Sequence, residues 1–485
     1  MRKIRLWGLT AILLAGCLYA TTGFAKTVSS NVMAPLSIGD VKNPNAASEA
    51  AEWTEFEKHL DDAKKIGVYA VTTDVWWGVV EAKKGTYVWD YYDKLAKTIR
   101  DKKLKWIPIL SFHQCGGNVG DECFFPLPKW IWTAHVGEAG ITSADSLKYK
   151  SEYGHYADEV ISVWGTKTVL SDYARFFTEF QKHFADYADD IAEINVSLGA
   201  SGELRYPSFN SHDPKAGYPS RGALQSYSDL AIASFREAVK TKYKTLDALN
   251  KAWGFSLKTW TDVYPPSDLG PPDASSGFFA RDEHFDPYGK DFFDWYQDSL
   301  LAHGEMVLSK AISVFNDSHA EFQGIDIGAK IPGVHWRSSS DRLAEVASGM
   351  MRTSSGDWND DKRGHGYASL VGLFKKLGDK PDAPRIQLHY TCLEKDNGED
   401  GDWAKSMAKA LVFWVGAEAK RQGVSIKGEN ALAGPLANDK AWDNILNALE
   451  WSSYSGITIL RLKQVSEIPL ARRRYKELIS EFGSP

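Results

Sequence analysis

Apolar and polar positions along this chain alternate between two periods. Short apolar runs, rich in β-branched residues, recur at 32–39 (VMAPLSIG), 68–75 (VYAVTTDV), 105–112 (KWIPILSF) and 191–198 (IAEINVSL). Four more follow at 324–331, 385–390, 423–429 and 456–462. Between them, stretches such as EWTEFEKHLDDAKKIG (52–67), DYYDKLAKTIRDKK (90–103) and DYARFFTEFQKHFADYADD (172–190) repeat their apolar residues at helical spacing. DNILNALEWSS and LARRRYKELISEFG continue the alternation to the C-terminus.

Eight strands with intervening helices predict a closed α/β fold, a (β/α)8 TIM barrel with long strand-to-helix loops. An open doubly wound sheet is the alternative, but no GxGxxG follows any strand. The spacing is uneven: about 75 residues separate the third and fourth strands, and over 120 the fourth and fifth. Long loops at the carboxyl face are where such barrels build their sites.

Composition narrows the partners. A net charge of −6 leaves no electrostatic footprint for nucleic acid. The basic run ARRRYKEL (471–478) has helical spacing and reads as a solvated helix face. Eighteen Trp and 21 Tyr supply flat rings with polar edges, suited to sugar faces. Residues 1–25 read as an export signal: a basic start, an apolar run too short to span a bilayer, then small residues before Lys26. Cys17, in LLAGC, offers lipid anchoring as the alternative. The remaining 26–485 read as one catalytic barrel domain of a secreted protein, with no further membrane segment. Export permits a disulfide, and the CGGNVGDEC loop could close Cys115 to Cys123, leaving Cys392 free. No CxxC pair exists, so no metal site is expected.

Polar residues gather where each strand ends. The second ends at Asp74 beside Trp76 and Trp77; the third runs into His113 and Asp121 around a glycine-rich loop. The fourth leads to Glu203 and Arg205, in GASGELRYPS. Lys330, His335 and Trp336 follow on the fifth, Thr391 and Glu394 after the sixth, Glu429 and Asn430 at the seventh, and Arg461 within the eighth. Any one of these has a structural reading as a cap, a core histidine or a buried ion pair. Seven consecutive strands with the same pattern at one face are hard to explain by packing. Two or more carboxylates among neutral and aromatic groups fit glycoside hydrolysis, one as acid and one as base or nucleophile. The residues alone leave Glu394 and Glu429 both open as the second carboxylate.

HQCGGNVGD with GELRYPS resembles the two signature segments of glycoside hydrolase family fourteen, the β-amylase family. DVWWGVVE, KIPGVHW, TCLE, GENAL and LRL occur in the family's order, so the resemblance covers most of the chain. It implies a (β/α)8 barrel that removes β-maltose from non-reducing ends of α-1,4-glucans such as starch, with inversion. It further implies Glu203 as general acid and, through GENAL, Glu429 as general base. Asp74, His113, Asp121, Lys330, His335, Thr391, Asn430, Ala431 and Arg461 are similar to the family's substrate contacts, and Leu432 to an apolar contact between sugars. Asp121 falls in the family's mobile lid. Many bacterial members carry a C-terminal starch-binding module, which is not expected here, and bacterial relatives bind a structural calcium near Glu81 and Asp172. Here Thr86 and Arg175 stand where acids are expected, and a guanidinium among calcium ligands is costly, so no cofactor is expected. A monomer is expected. A retaining glycosidase on another glycan and a non-catalytic sugar receptor are the competing readings.

Overall fold

The computed structural model describes residues 27–116, 122–209, 213, 216–218, 220–267, 286–317, 320–337, 343–352, 366–483 and 485. Eight parallel strands close into a barrel: β1 Ser29–Met33, β2 Ala70–Trp76, β3 Lys105–Ser111, β4 Glu193–Val196, β5 Asp326–Ile331, β6 Ile386–Tyr390, β7 Ser425–Glu429 and β8 Tyr454–Leu460. Each strand pairs with its sequence neighbours, and β1 closes the ring on β8. The expected barrel is the observed one.

Seven of the strands lie within two residues of the apolar runs that predict them. The first does not: the run 32–39 is replaced by Ser29–Met33, whose five residues are all buried. The reason is physical. Pro35 lacks the N–H a ladder needs, and several polar groups at the start of β1 find partners inside the barrel. Ser29 Oγ donates to Asn31 Oδ1 at 3.0 Å, and Tyr475 Oη donates to Asn31 O at 2.8 Å. A hydropathy pattern cannot reward a strand that begins Ser-Ser-Asn.

Helices wrap the ring. α1 (Ala50–Ile66) buries Trp53, Phe56, Leu60, Ala63 and Ile66, a stripe at helical spacing, and stops at Gly67 in the left-handed conformation. α2 (Asp90–Asp101) and α3 (Thr166–His183) cover β2 to β4, and α3 buries Val169, Tyr173, Phe176 and Phe180. The long excursion after β4 holds α4 (Asp229–Tyr243), α5 (Leu246–Trp253) and the 31-residue α6 (Pro287–Asp317). α7 (Ala368–Gly378), α8 (Ala408–Gln422), α9 (Asp439–Trp451) and α10 (Pro469–Phe482) complete the outer layer. The basic run lies on α10, where Tyr475 and Leu478 face inward while Arg473 and Arg474 meet Asp439. Among the described residues, no helix is long and apolar enough to cross a membrane. The expected signal at 1–25, with Cys17, lies outside the described residues.

Candidate active site

A cavity of about 370 Å³ opens at the carboxyl ends of the strands. Asp74, His113 and Glu203 line one part of its wall; Lys330, His335, Thr391, Glu429, Ala431 and Arg461 line the rest. Nine sequence-predicted residues thus meet in one place. Asp121 lies outside the described residues.

Glu203 stands where it does because its loop is folded tightly onto the barrel. A Cβ on Gly199 would run into the carbonyl oxygens of Glu203 and Arg205. Gly202, at φ +80°, brings the backbone to within 3.2 Å of His113 Cε1, measured from where its own Cβ would sit. The small residues before Glu203 are the space the turn needs. Beyond it, Leu204 N–H donates to Lys330 O at 2.8 Å, so the loop extends along the end of β5. Buried Tyr206 stacks on Tyr296 of α6 with centroids 3.8 Å apart and donates its hydroxyl to the Tyr296 carbonyl.

Of the three carboxylates on the cavity wall, Glu203 and Glu429 differ in their partners. Arg205 Nε donates to Glu203 Oε2 at 2.8 Å and Arg205 Nη2 to Ser201 Oγ at 2.7 Å. Burial raises the Glu203 pKa, the Arg205 charge and hydrogen bond oppose it, and the nearby Glu429 charge raises it again; the net direction is up. Glu429 ends β7, and Lys330 Nζ donates to its Oε2 at 2.8 Å. The arrangement therefore offers one carboxyl that gives up its proton less readily than an ordinary glutamate and a second carboxylate paired with an ammonium.

Donors and acceptors, two of them imidazoles, surround this pair. His113 Nδ1 lies 2.8 Å from Ser197 Oγ, and burial together with the Lys330 and Arg205 charges pushes its pKa down to about 3. His335 Nδ1 lies 2.9 Å from Ser406 Oγ; burial and the Lys395 charge lower its pKa to about 4, against the pull of Asp400. Both imidazoles are neutral hydrogen-bonding groups. Ser111 Oγ donates to Asp74 Oδ1 at 2.8 Å. Arg461 reaches Met33 Sδ with Nη1 at 2.8 Å. Ser111, Ser197 and Ser406 are orienting groups that the sequence did not single out, since hydroxyl partners are chosen by neighbouring strands; Arg205 was named there beside Glu203 but given no role.

Glu394 and Asn430 are not on the cavity wall. Glu394 accepts the Ala431 N–H at 2.9 Å and the Leu432 N–H at 2.9 Å, which leaves Glu429 as the carboxylate facing the cavity. Asn430 donates to Leu432 O and Leu460 O and accepts from Leu460 N–H at 2.8 Å. It ties the end of β7 to the end of β8 and so presents its neighbour Ala431 to the cavity. Leu432 is exposed. Cys115 and Cys123 are bonded, with Cα atoms 5.8 Å apart, and Cys392 is free and buried.

The residues near Glu81 and Asp172 do not fit a calcium ion. Glu81 Oε1 accepts from Gly85 N–H and from Arg175 Nη2, both at 2.8 Å, and Glu81 Oε2 accepts from Trp77 Nε1. Asp172 Oδ1 meets Arg175 Nη1 at 2.7 Å and Oδ2 meets His135 Nε2 at 2.7 Å. All four carboxylate oxygens are engaged by N–H donors or an imidazole, and Arg175 supplies the positive charge.

The family model for glycosyl hydrolase family 14 matches residues 33–478. The thermophilic beta-amylase of Thermoanaerobacterium thermosulfurigenes is 37% identical over 421 residues, 86% of this chain and 69% of that protein. The beta-amylase of Niallia circulans is 34% identical over 467 residues, 95% of this chain and 73% of its own length. The crystal structure of the catalytic domain of beta-amylase from Paenibacillus polymyxa superposes with a TM-score of 0.78 at 32% identity, covering 95% of this chain and all of that one. A β-galactosidase from the psychrophilic Marinomonas ef1, at 12% identity and a TM-score of 0.52, shares the fold alone. A barrel mouth with two differently partnered carboxylates and a family match along nearly its whole length lead to one conclusion: the chain belongs to glycosyl hydrolase family 14.

Proposed function

We propose that this chain is a β-amylase, an exo-acting glycoside hydrolase that releases β-maltose from the non-reducing ends of α-1,4-glucans such as starch. One observation carries the reading. Glu203, its pKa raised, and Glu429, hydrogen-bonded to Lys330, line the same cavity. Glu203 donates its proton to the glycosidic oxygen as the bond to the anomeric carbon breaks. Glu429 takes a proton from a water whose oxygen attacks that carbon from the opposite face. One displacement by water inverts the centre, so an α-linkage yields a β-product. Neutral His113 and His335, with Asp74 and Arg461, hold sugar hydroxyls, and Ala431 packs beside them. Asp121 and Thr391 complete the substrate contacts in this reading, and Asn430 acts through the backbone it holds. No calcium is required, because Arg175 already balances Glu81 and Asp172. Residues 1–25 direct export, which N-terminal sequencing of the mature protein would check. Proton NMR in the first minutes of starch digestion is the decisive experiment. Initial β-maltose is expected; initial α-maltose, or no maltose at all, overturns the proposal.

A further inference from the structure

On the outside of the barrel, Glu55 and His59 share one face of α1, four residues apart. Glu467 joins them from the end of the short helix Leu462–Glu467, which leads into α10. One oxygen of each glutamate and Nε2 of His59 all lie within 4.8 Å of one another. His59 is 4% exposed, yet its Nε2 has no hydrogen-bond partner. It points between the two carboxylates, 3.3 Å from Glu467 Oε1 and 3.8 Å from Glu55 Oε1.

We propose that Glu55, His59 and Glu467 form a divalent metal site that takes Zn²⁺. The spacing carries this. A charge-assisted hydrogen bond from a protonated imidazole would close to about 2.7–2.9 Å, and neither contact does. Two ligand atoms bound at about 2.1 Å to a tetrahedral ion stand roughly 3.4 Å apart. The observed 3.3 and 3.8 Å bracket that edge, and the half-exposed glutamates can rotate inward. One imidazole with two carboxylates suits zinc better than calcium, which prefers six or more oxygens. The outward opening leaves the fourth position to water. A bound ion would clamp the first helix to the chain's last turns, across the seam where β1 closes on β8. Lys463 Nζ, 3.8 Å from Glu55 Oε1, competes for the same carboxylate.

The test uses untagged, metal-stripped full chain titrated with zinc chloride, read by calorimetry and by Tm, with cobalt(II) absorption reporting geometry. One equivalent should bind, Tm should rise to a plateau, and cobalt should give tetrahedral visible bands. Glu467→Gln, at an exposed position, and His59→Gln should each weaken binding by about tenfold or more. Lys463→Met should tighten it. The site is overturned if zinc leaves the wild-type Tm unchanged, or if both variants keep the wild-type response, because the ion then binds elsewhere. Amylase activity plays no part in these readouts, so the outcome is independent of the proposed function.

Discussion

Two clusters of ionisable groups sit one above the other in this barrel, sharing β7 and the β4 segment, and they behave oppositely. In the interior, Glu193 at the start of β4 meets His389 of β6 and Lys427 of β7. At the mouth, two residues further along β7, Glu429 meets Lys330, while Glu203 beyond β4 meets Arg205. Burial alone would raise the Glu193 pKa, but the Lys427 and His389 charges and hydrogen bonds win and hold it at about 2. Glu203 ends above its ordinary value because one guanidinium does not outweigh burial plus a second carboxylate. Depth would order them the other way, since Glu193 is fully buried and Glu203 only partly. The balance of charge separates them: one anion between two basic groups below, two anions and two cations above.

Breaking each cluster should therefore damage different properties. Glu203→Gln is expected to lower turnover on starch by roughly 10²–10⁴, the range for removing a general acid, with Tm preserved. Glu429→Gln should do the same. Glu193→Gln should leave the Lys427 ammonium buried without its anion and cost about 3–5 kcal/mol of stability, while the folded fraction keeps turning over. Urea unfolding and initial rates measured on the same samples separate the two effects. An inactive but stable Glu193→Gln would erase the distinction.

The same contrast predicts opposite pH behaviour. Glu193, depressed from 4.5 to about 2 in the folded chain, contributes stability that is complete above pH 4.5 and is lost as pH falls toward 2. Glu203 must keep its proton to act, so activity falls as pH rises through its raised pKa. Arg205 holds that pKa down. Arg205→Leu should move the alkaline limb of kcat/KM upward, whatever it costs in rate. A limb that stayed in place or moved down would detach it from Glu203.

How much of this was legible beforehand divides along the same lines. The barrel follows from the apolar runs, because parallel strands buried on both faces are apolar in sequence; β1 escapes because it begins Ser-Ser-Asn, with Ser29 bonded to Asn31 and Tyr475 to the Asn31 carbonyl. Glu203 and Glu429 are legible because their motifs are local in sequence. The lower cluster is not: Glu193, His389 and Lys427 come from three strands far apart in the chain and belong to no local pattern. Nor is the role of Glu394, which the sequence left open as the second carboxylate and whose partners are backbone N–H groups, or the Glu55–His59–Glu467 group, which a remote helix completes. Local motifs carry chemistry, whereas partners brought in by the fold appear only once it is assembled.

Glu394 is an intermediate case. Burial pushes its pKa up to about 7, although the Leu432 and Ala431 N–H groups pull the other way. Because that lies above its ordinary 4.5, the group favours folding below pH 4.5 and gives this up as pH rises through about 7, the reverse of Glu193. Glu394→Ala should cost about 1–3 kcal/mol through the freed N–H donors. It should also raise KM more than it lowers kcat, since Ala431 loses its anchor. Equal losses in kcat and kcat/KM would instead make Glu394 part of the chemistry.

The smallest expected effect is in the native chain itself, at Arg175. Here a buried pair of carboxylates resembles the mouth in composition, but the cation between them is built in. Burial works against the charge on Asp172, and the hydrogen bonds from Arg175 and His135 outweigh it, so its pKa is lowered. Adding calcium to metal-free protein should leave Tm unchanged, because an ion would have to displace a guanidinium bonded to both Glu81 and Asp172. Arg175→Ala turns this into a sharper test. Its loss leaves Glu81 without its cation and Asp172 with only Lys84 and His135, which lowers Tm and frees carboxylate oxygens for a hard cation. Calcium should then restore part of the lost Tm in the variant while doing nothing for the parent. The two responses must differ for the reading to stand. If calcium stabilises the parent as much as the variant, Arg175 is not the resident charge, and the carboxylates are available to an ion after all.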